Sequence, residues 1–271
     1  MSKQVLVVIG TGGMGLAIAR RLGSGRTRLL ADAREQSLDD ATALLRSEGH
    51  AVEQQLVDVS DAGAVSALAA TAADLGPVTQ VAHTAGLSPQ QASTEAILRV
   101  DLLGTALVLD AFAEVVAPGG AGVVVASMAG HMIGEVPADR TAALRSTPAA
   151  ELLDLPFLAP EAVGEPASAY VLAKHANLLR VQAAAAAWGR RGARVNSLSP
   201  GVISTPMGQE ELAGESGETM RGLIAMSATQ RVGTPDDIAA AVDFLLGPGA
   251  GFVTGTDLLV DGGVDAALFA G

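Results

Sequence analysis

Short apolar runs alternate along this chain with longer segments in which apolar residues recur at helical spacing. The strand candidates are residues 5–9, 28–31, 55–57, 78–83, 122–126, 193–198 and 257–260. The helical candidates lie near residues 13–23, 35–48, 61–75, 93–116, 167–190 and 235–246. Strands that alternate with helices in this way predict an α/β fold, a doubly wound parallel sheet with helices on both faces.

Two long segments interrupt the alternation. Residues 128–166 contain five prolines and no clear strand, and residues 199–234 look like a loop with short helices. Long connections in a compact domain are usually functional, so we expect at least one of the two to cover a ligand and both to shape substrate specificity. No repeat or low-complexity linker divides the chain, which predicts a single domain over residues 1–271.

The amino-acid composition argues against several classes of binding partner and catalytic chemistry. The net charge is −12 and no Lys/Arg cluster offsets it, which argues against binding to nucleic acid or to an anionic membrane surface. The absence of cysteine excludes disulfides, thiolate catalysis and Cys-ligated metals. No signal peptide is recognisable, and no stretch approaches the ~20 apolar residues of a membrane span. We therefore expect a cytoplasmic protein that acts on small molecules.

The first strand candidate ends in a glycine-rich turn with the pattern G-x-G-x-x-G. Glycines in such a turn allow a tight bend, a close approach of the backbone to a pyrophosphate, and close packing of helix on strand. The N-terminus of the next helix then meets the anion with free N–H groups and its positive dipole end. The pattern predicts a dinucleotide site, whose expected binding residues here are Gly10, Gly12, Met14 and Gly15.

The carboxylate of Asp32 affects whether the site prefers NAD or NADP. Asp32 ends the second strand candidate, 22 residues after Gly10. It can accept hydrogen bonds from both hydroxyls of the adenosine ribose, and it repels a 2′-phosphate. Arg34 lies nearby and could bind a 2′-phosphate instead. The sequence therefore favours NAD over NADP and leaves NADP open.

A tyrosine and a lysine stand four residues apart in a helical candidate. Tyr170 is the only tyrosine, and Lys174 is one of two lysines. The spacing places both side chains on one helix face. A phenol titrates near ~10, and bringing its pKa to about 7 requires ~4 kcal/mol in favour of phenolate. One ammonium about 4 Å away contributes on that order, so the pair predicts a proton-transfer site beside a nicotinamide.

Taken together, these residues resemble the short-chain dehydrogenase/reductase family. The likeness also rests on Asp58-Val59, Ala85-Gly86, Ser127, the segment from Asn196 to Gly201, and Asp261-Gly262-Gly263. It covers nearly the whole chain. The resemblance implies a Rossmann-type sheet of about seven parallel strands and NAD(P)(H)-dependent interconversion of a secondary alcohol and a ketone. It also implies a homodimer or homotetramer, with the alanine run 183–187 as an interface.

The resemblance also implies roles for single residues. Ser127 would bind the substrate oxygen, Tyr170 would be the general acid/base, and Lys174 would bind the ribose beside it. Asp101 stands where the family usually has the asparagine of its catalytic tetrad, and a proton relay through a water on its backbone carbonyl stays possible. The residues expected to contact the cofactor's adenine and nicotinamide ends are Asp58, Val59, Ala85, Gly86, Ile203 and Thr205.

Three departures from the family pattern leave alternatives open. His83-Thr84 replaces the usual Asn-Asn, the glycine turn is one residue short, and 43 positions separate Ser127 from Tyr170. The long insertion is similar to the bacterial 3α-hydroxysteroid dehydrogenase/carbonyl reductase subgroup, which points to a hydrophobic alicyclic alcohol. The changes at His83 and Asp101 also suit an NAD(H)-binding sensor without catalysis. An epimerase or dehydratase that uses bound NAD is a third interpretation, and the terminal Asp-Gly-Gly argues against it.

One pair of residues in the insertion has a spacing that two metal ligands could use. His131 and Glu135 stand four residues apart. No third ligand follows at a recognisable spacing, so a solvated pair is the better interpretation and we expect no metal.

Overall fold

Seven parallel strands form one sheet in this computed structural model, which describes residues 3–90, 92–214 and 216–268. The strands are β1 (Val5–Ile9), β2 (Thr27–Asp32), β3 (Val52–Leu56), β4 (Val78–His83), β5 (Val116–Val125), β6 (Arg194–Pro200) and β7 (Asp257–Val260). Their order in the sheet is β3-β2-β1-β4-β5-β6-β7. The order reverses between β1 and β4, so the carboxyl ends of these two strands open a crevice where ligands bind in folds of this kind.

Helices cover both faces of the sheet. The first are α1 (Gly13–Leu22), α2 (Glu35–Ser47), α3 (Ala62–Leu75), α4 (Thr94–Ile97) and α5 (Thr105–Val115), with a π-helical stretch, Leu98–Gly104, between α4 and α5. The rest are α6 (Ala138–Ser146), α7 (Pro160–Val163), α8 (Pro166–Arg190), α9 (Pro206–Ala213), α10 (Gly217–Met226), α11 (Pro235–Leu246) and α12 (Val264–Leu268). Each of the six helical candidates corresponds to one or two of these helices.

Two apolar layers explain why β1 is apolar at every position. Alternate residues of a strand face opposite sides of a sheet. Val7 packs into the layer under α3, α5 and α8, whereas Val8 packs into the layer under α1, α2 and α11. A continuous apolar strand is the pattern of a sheet that is covered on both faces. The prediction of a doubly wound parallel sheet is confirmed.

Two strand predictions had wrong bounds. The third strand spans Val52–Leu56, not 55–57, because it is an edge strand whose side chains mostly face solvent; Leu56 is 56% exposed. An edge strand of this kind has no apolar run to mark it. The fifth strand begins at Val116, six residues before its apolar run, and includes a Pro-Gly-Gly segment that is atypical of a strand.

The insertion 128–166 forms a third apolar cluster with α8. It folds into α6, α7 and short 3₁₀ turns, and its described residues contain no strand. Leu144, Leu152 and Leu158 are almost fully buried and belong to one cluster with Ala169 and Ala173 of α8. The insertion is therefore part of the packed structure, and it covers the amino-terminal half of α8.

Two further observations concern surfaces. The alanine run 183–187 in the carboxyl-terminal half of α8 stays partly exposed, and its role as a subunit interface remains a prediction. Within the described ranges, no helix combines the length and apolarity that crossing a bilayer requires.

Candidate active site

The glycine-rich turn forms an open anion cradle at the start of α1. A side chain on Gly15 would place its Cβ 1.9 Å from the carbonyl oxygen of Gly10, and one on Gly10 would lie 2.5 Å from the Ala85 nitrogen. A Cβ on Gly12, by contrast, would meet nothing within 4 Å. Gly12 also caps α1 without a side-chain hydrogen bond, so the capping residue does not occupy the first N–H groups of this helix. These residues fit a dinucleotide pyrophosphate.

Asp32 lies beside this cradle at the end of β2. Its Oδ2 accepts hydrogen bonds from the Thr11 N–H at 2.7 Å and the Thr11 hydroxyl at 2.9 Å. Its Oδ1 accepts from the Arg34 N–H at 2.9 Å. A carboxylate offers about four lone-pair sites, so Oδ1 retains capacity for a ribose hydroxyl. The Arg34 side chain is 73% exposed, with Nε 3.9 Å from Asp32, and stays free to turn toward a 2′-phosphate.

The expected adenine contacts lie along the same edge. Asp58 is exposed, and its Oδ1 accepts hydrogen bonds from the Ser60 N–H and hydroxyl, both at 2.8 Å. Val59 is buried against Gly104, where a Cβ would lie 2.7 Å from a Val59 methyl. Ala85 donates its N–H to the end of β1 at 2.9 Å. Ala85 therefore touches the cradle directly, whereas Asp58 and Val59 follow the carboxyl end of β3 at the same edge of the sheet.

The loop after β6 closes the other side of the cradle. Ile203 is buried there and forms an isolated bridge with Gly233. The Thr205 methyl lies 3.1 Å from the position of a Cβ on Gly13. The Thr205 oxygen accepts the Gly208 N–H at 3.1 Å, which caps α9 and leaves the Thr205 O–H able to donate. Met14 lies in the first turn of α1, partly buried against the sheet.

Ser127, Tyr170 and Lys174 meet at the carboxyl edge of the sheet. Ser127 follows β5, and its Oγ accepts the Ala129 N–H at 3.2 Å. The Ser127 side chain also acts on the Tyr170 hydroxyl by lowering its pKa. Lys174 lies one turn after Tyr170 on α8, with its Nζ 5.3 Å from the centre of the phenol ring. The three side chains predicted for proton transfer are thus in one cluster.

Asp101 forms a direct ion pair with Lys174. Its Oδ2 lies 3.0 Å from the Lys174 Nζ, and the two side chains are 0% and 6% exposed. Its Oδ1 accepts the Leu87 N–H at 2.8 Å. Gly86 permits this contact, because a Cβ there would lie 3.1 Å from Nζ. Asp101 belongs to the π-helical stretch, a distortion that occurs often at functional sites. The sequence predicted a possible water relay here, not a direct pair.

The electrostatics of the phenol differ from the prediction. Burial raises the pKa of Tyr170, while the charge of Lys174 and the Ser127 side chain lower this pKa, and the net direction is upward. The charge of Asp101 also raises this pKa. For Lys174, burial lowers the pKa but the charges of Asp101 and Tyr170 raise it more, so its ammonium is retained. The charge of Lys174 is thus outweighed by burial here, and a lowering of the phenol pKa by lysine and a nicotinamide charge together stays a prediction.

His83 and Thr84, at the end of β4, contact the two segments that carry Asp101 and the glycine turn. The His83 Nε2 lies 3.2 Å from the Thr105 hydroxyl, which itself donates to the Asp101 carbonyl at 2.8 Å, so Nε2 must be the donor. Burial, with a smaller contribution from Lys174, lowers the pKa of His83 to about 3, which keeps the ring neutral. The Thr84 hydroxyl donates to the Gly10 carbonyl at 2.8 Å. The pair therefore braces the π-helical stretch and the glycine turn.

Glu211 of α9 is a charged residue of the site that sequence reasoning missed. It is partly buried, and its charge acts on Tyr170 by raising the phenol pKa. Its carboxylate faces Ser88, which is 1% exposed. Glu210 beside it is exposed, so the sequence offered no signal that would separate the two glutamates.

His131 is paired with Asp257, whereas the sequence suggested Glu135 as its partner in a possible metal site. Its Nε2 lies 2.8 Å from Oδ2 of Asp257 in β7. Within residues 3–90, 92–214 and 216–268, no three His, Cys, Asp or Glu side chains are grouped as metal ligands.

A cavity of about 530 Å³ lies between residues 132–137, α6 and α8, and Ser127, Tyr170 and Lys174 do not line it. The insertion thus lines a cavity that reaches α8 on both sides of Tyr170 in the sequence, at Ser168 and Val171.

Known proteins resemble this chain along its whole length. A family model described as short chain dehydrogenase matches residues 3–139, and one described as Enoyl-(Acyl carrier protein) reductase matches residues 138–265. Short-chain dehydrogenase/reductase bsc3 of Alternaria brassicicola is 41% identical over 99% of this chain and 98% of its own. Galactitol 2-dehydrogenase (L-tagatose-forming) of Cereibacter sphaeroides is 32% identical over 94% and 92%.

A protein of the 3α-hydroxysteroid dehydrogenase/carbonyl reductase subgroup and a solved structure of the same fold also match this chain. The 3-alpha-hydroxysteroid dehydrogenase/carbonyl reductase of Comamonas testosteroni is 30% identical over 68% of this chain and 71% of its own. The crystal structure of levodione reductase superposes with a TM-score of 0.77 at 25% identity, covering 98% of this chain and 99% of that one. The resemblance drawn from the motifs is confirmed: the chain belongs to the short-chain dehydrogenase/reductase family of oxidoreductases.

Proposed function

We propose that this protein is an NAD(P)(H)-dependent oxidoreductase that interconverts a secondary alcohol and a ketone, with NAD preferred. The observation that carries the proposal is the single cluster of Ser127, Tyr170 and Lys174 beside the glycine cradle. The name of the galactitol 2-dehydrogenase that forms L-tagatose describes the same conversion of a secondary alcohol to a ketone. Bound NAD(P)(H) would accept or supply the hydride at its nicotinamide ring.

The side chains move the proton and hold the oxygen. In reduction, the Tyr170 hydroxyl donates its proton to the carbonyl oxygen as that oxygen gains charge. The Ser127 hydroxyl donates a hydrogen bond to the same oxygen. The Lys174 ammonium stabilises the phenolate that remains, and it can also donate to a ribose hydroxyl because it has three N–H groups. Oxidation runs the same steps in reverse.

Asp101 acts in this proposal by positioning Lys174. The direct contact at 3.0 Å fixes the ammonium between the carboxylate and the phenol. The same contact weakens the effect of the lysine on Tyr170, because the negative charge opposes the ammonium charge. Asp101 thereby sets how strongly the phenol is activated.

The proposed cofactor contacts lie in the glycine cradle and in the segments beside it. Gly10, Gly12 and Gly15 leave room for the pyrophosphate, and Asp32 holds acceptor capacity toward the adenosine ribose. The carboxylate favours NAD because it would repel a 2′-phosphate, whereas Arg34 is the group that would accommodate NADP. The remaining proposed contacts are Met14, Asp58, Val59, Ala85, Gly86, Ile203 and Thr205.

Replacing Tyr170 by Phe tests the proposal. The phenyl ring keeps the packing but removes the proton donor, so turnover should fall by roughly 100- to 10,000-fold, the usual contribution of a general acid/base. The Kd for NADH, followed by its fluorescence on binding, should stay within about twofold, because no expected phosphate or adenine contact changes. Turnover near the wild-type rate would contradict the assignment of Tyr170.

The departures from the family pattern at Asp101 and at His83-Thr84 are the observations that favour a non-catalytic NAD(H)-binding sensor. A sensor would bind NADH and show no turnover on a broad panel of secondary alcohols and ketones at any pH. Net oxidation or reduction of added cofactor with any member of the panel would exclude it.

A further inference from the structure

The helix between α4 and α5 changes its hydrogen bonding around Asp101. In a regular α-helix the Thr105 N–H would donate to the Asp101 carbonyl, four residues earlier. At the end of the π-helical stretch Leu98–Gly104, this N–H donates to the Leu102 carbonyl instead. The Thr105 hydroxyl donates to the Asp101 carbonyl, at 2.8 Å. A side chain thus makes the contact that the backbone of a regular helix would make, and it holds the Asp101 peptide in place.

His83 fixes the Thr105 hydroxyl from the central sheet. Because the hydroxyl proton is directed to Asp101, the hydroxyl oxygen accepts the N–H of His83 Nε2, at 3.2 Å. Burial, with a smaller contribution from a lysine charge, lowers the pKa of His83 to about 3, so the ring is neutral and carries its one N–H proton at Nε2. His83 itself pairs with Ile9 of β1 and Val124 of β5. The network therefore connects the π-helical stretch with the centre of the sheet.

The Asp101 carboxylate lies at the other end of this network. Its Oδ2 is 3.0 Å from the Lys174 Nζ, and its Oδ1 accepts the Leu87 N–H at 2.8 Å. Gly86 leaves little space around the pair, because a Cβ there would lie 3.2 Å from Oδ2 and 3.1 Å from Nζ. In so narrow a space the carboxylate cannot follow a displaced backbone without losing one of its two contacts. The ion pair therefore depends on the position of the Asp101 peptide.

Thr105 and His83 lie too deep to touch a ligand. Each is 1% exposed, so both act through the groups that they contact. Hydrogen bonds in a buried network are stronger than in water, so the loss of one member displaces the others. We propose that Thr105 and His83 are positioning residues, which hold Asp101 so that its carboxylate fixes the Lys174 ammonium beside Tyr170. This proposal rests on the proposed function, since it takes the roles of Lys174 and Tyr170 from it.

The Lys174 ammonium gives a test that needs no turnover. The chain has two lysines, Lys3 and Lys174, so NMR of protein labelled at the lysine side-chain nitrogen follows each of them as a separate signal. Burial lowers the pKa of Lys174, and the charges of Asp101 and Tyr170 raise it more. Thr105→Val keeps nearly the same shape and removes the hydroxyl, so the pKa of Lys174 should fall, as it should in Asp101→Asn. Thr105→Ser retains the hydroxyl and should retain the wild-type pKa.

Control variants separate positioning from a general loss of stability. Thr42→Val makes the same change on α2, at a threonine that is 2% exposed and whose hydroxyl has no hydrogen-bond partner among the described residues, and it should leave the pKa of Lys174 unchanged. In the Asp101→Asn background, Thr105→Val should cause no further fall, because Thr105 acts through the Asp101 carboxylate. An equal fall in both backgrounds, or no fall in Thr105→Val, would overturn the proposal. His83→Leu should lower the same pKa, and an unchanged value would overturn the role of His83.

Turnover separates this proposal from the proposed function. In Thr105→Val, kcat for ketone reduction should fall by roughly 10- to 100-fold, the range of a misplaced catalytic group, with KM nearly unchanged. Thr105→Ser should restore most of the rate. A wild-type kcat in Thr105→Val would overturn the positioning role and leave the proposed function intact. A wild-type protein without turnover, in which the Lys174 pKa still responds to Thr105→Val, would support these contacts and count against the proposed function.

Discussion

Replacing Lys174 by Met would leave the Asp101 carboxylate buried without its cation. The ammonium lies 3.0 Å from Oδ2, and the one other partner that the described residues give this carboxylate is the Leu87 N–H, at 2.8 Å. The folded variant must then neutralise Asp101. Protonating at pH 7 a carboxyl that titrates near ~3.9 when unfolded costs about 4 kcal/mol. Broken buried ion pairs cost about 3–5 kcal/mol, so we expect a loss of about 3–4 kcal/mol in the free energy of unfolding.

The loss should depend on pH with a definite sign. Burial raises the folded-state pKa of Asp101 and Lys174 lowers it in part, so removing the lysine raises this pKa further above the unfolded value. A raised folded pKa means that stability is retained below the unfolded pKa, near ~4, and falls as pH rises through the folded one. The difference from wild type should therefore be smallest near pH 4 and grow by at most about 1.4 kcal/mol per pH unit.

Urea unfolding followed by Trp188 fluorescence measures this loss. Trp188 is the only tryptophan, is 1% exposed, and donates to the Leu109 carbonyl at 3.1 Å, so its emission reports on the core. The double variant Lys174→Met/Asp101→Asn is the matched control, because it buries no charge and should recover most of the stability. A loss below about 1 kcal/mol in the single variant, or no recovery in the double one, would refute this account of the pair.

Two further predictions concern the cofactor and the phenol. Asp32→Ala removes the carboxylate that repels a 2′-phosphate and leaves Arg34 in place, so the NADP-to-NAD ratio of kcat/KM should rise by roughly 10- to 100-fold in steady-state assays; an unchanged ratio would contradict the role of Asp32. Asp101→Asn removes a charge that raises the pKa of Tyr170. Because oxidation needs the phenolate, the pH profile of alcohol oxidation should move to lower pH, and a profile that stays in place would show that Asp101 does not act on Tyr170.

The fold could be predicted because its signals are local. In β1 every residue is apolar, and this pattern alone indicates a strand covered on both faces. The edge strand β3 was misplaced for the converse reason, since its side chains are mostly polar and its pairing with β2 is made by backbone atoms. Periodicity reports which side chains are buried, so it locates central strands better than edge strands.

The site was predictable only where its residues share a local motif. Tyr170 and Lys174 lie on one helix, so their spacing reports their proximity. Asp101 reaches Lys174 from the π-helical stretch of another segment, and no local pattern encodes that contact. Glu211 was missed for a related reason: its position depends on how α9 is held against the loop after β4, and its neighbour Glu210 has the same chemistry.

Asp101 and Glu211 change the chemistry expected at neutral pH. Apart from its own burial, the phenol is subject, within the described part of the chain, to the charges of one cation, Lys174, and two anions, Asp101 and Glu211. Burial, with smaller contributions from the two anions, keeps the pKa of Tyr170 above its ordinary value, so the phenol stays protonated at neutral pH. In the proposed function, reduction starts from this protonated phenol, whereas alcohol oxidation needs the phenolate. Oxidation by the proposed mechanism should therefore gain as the pH rises.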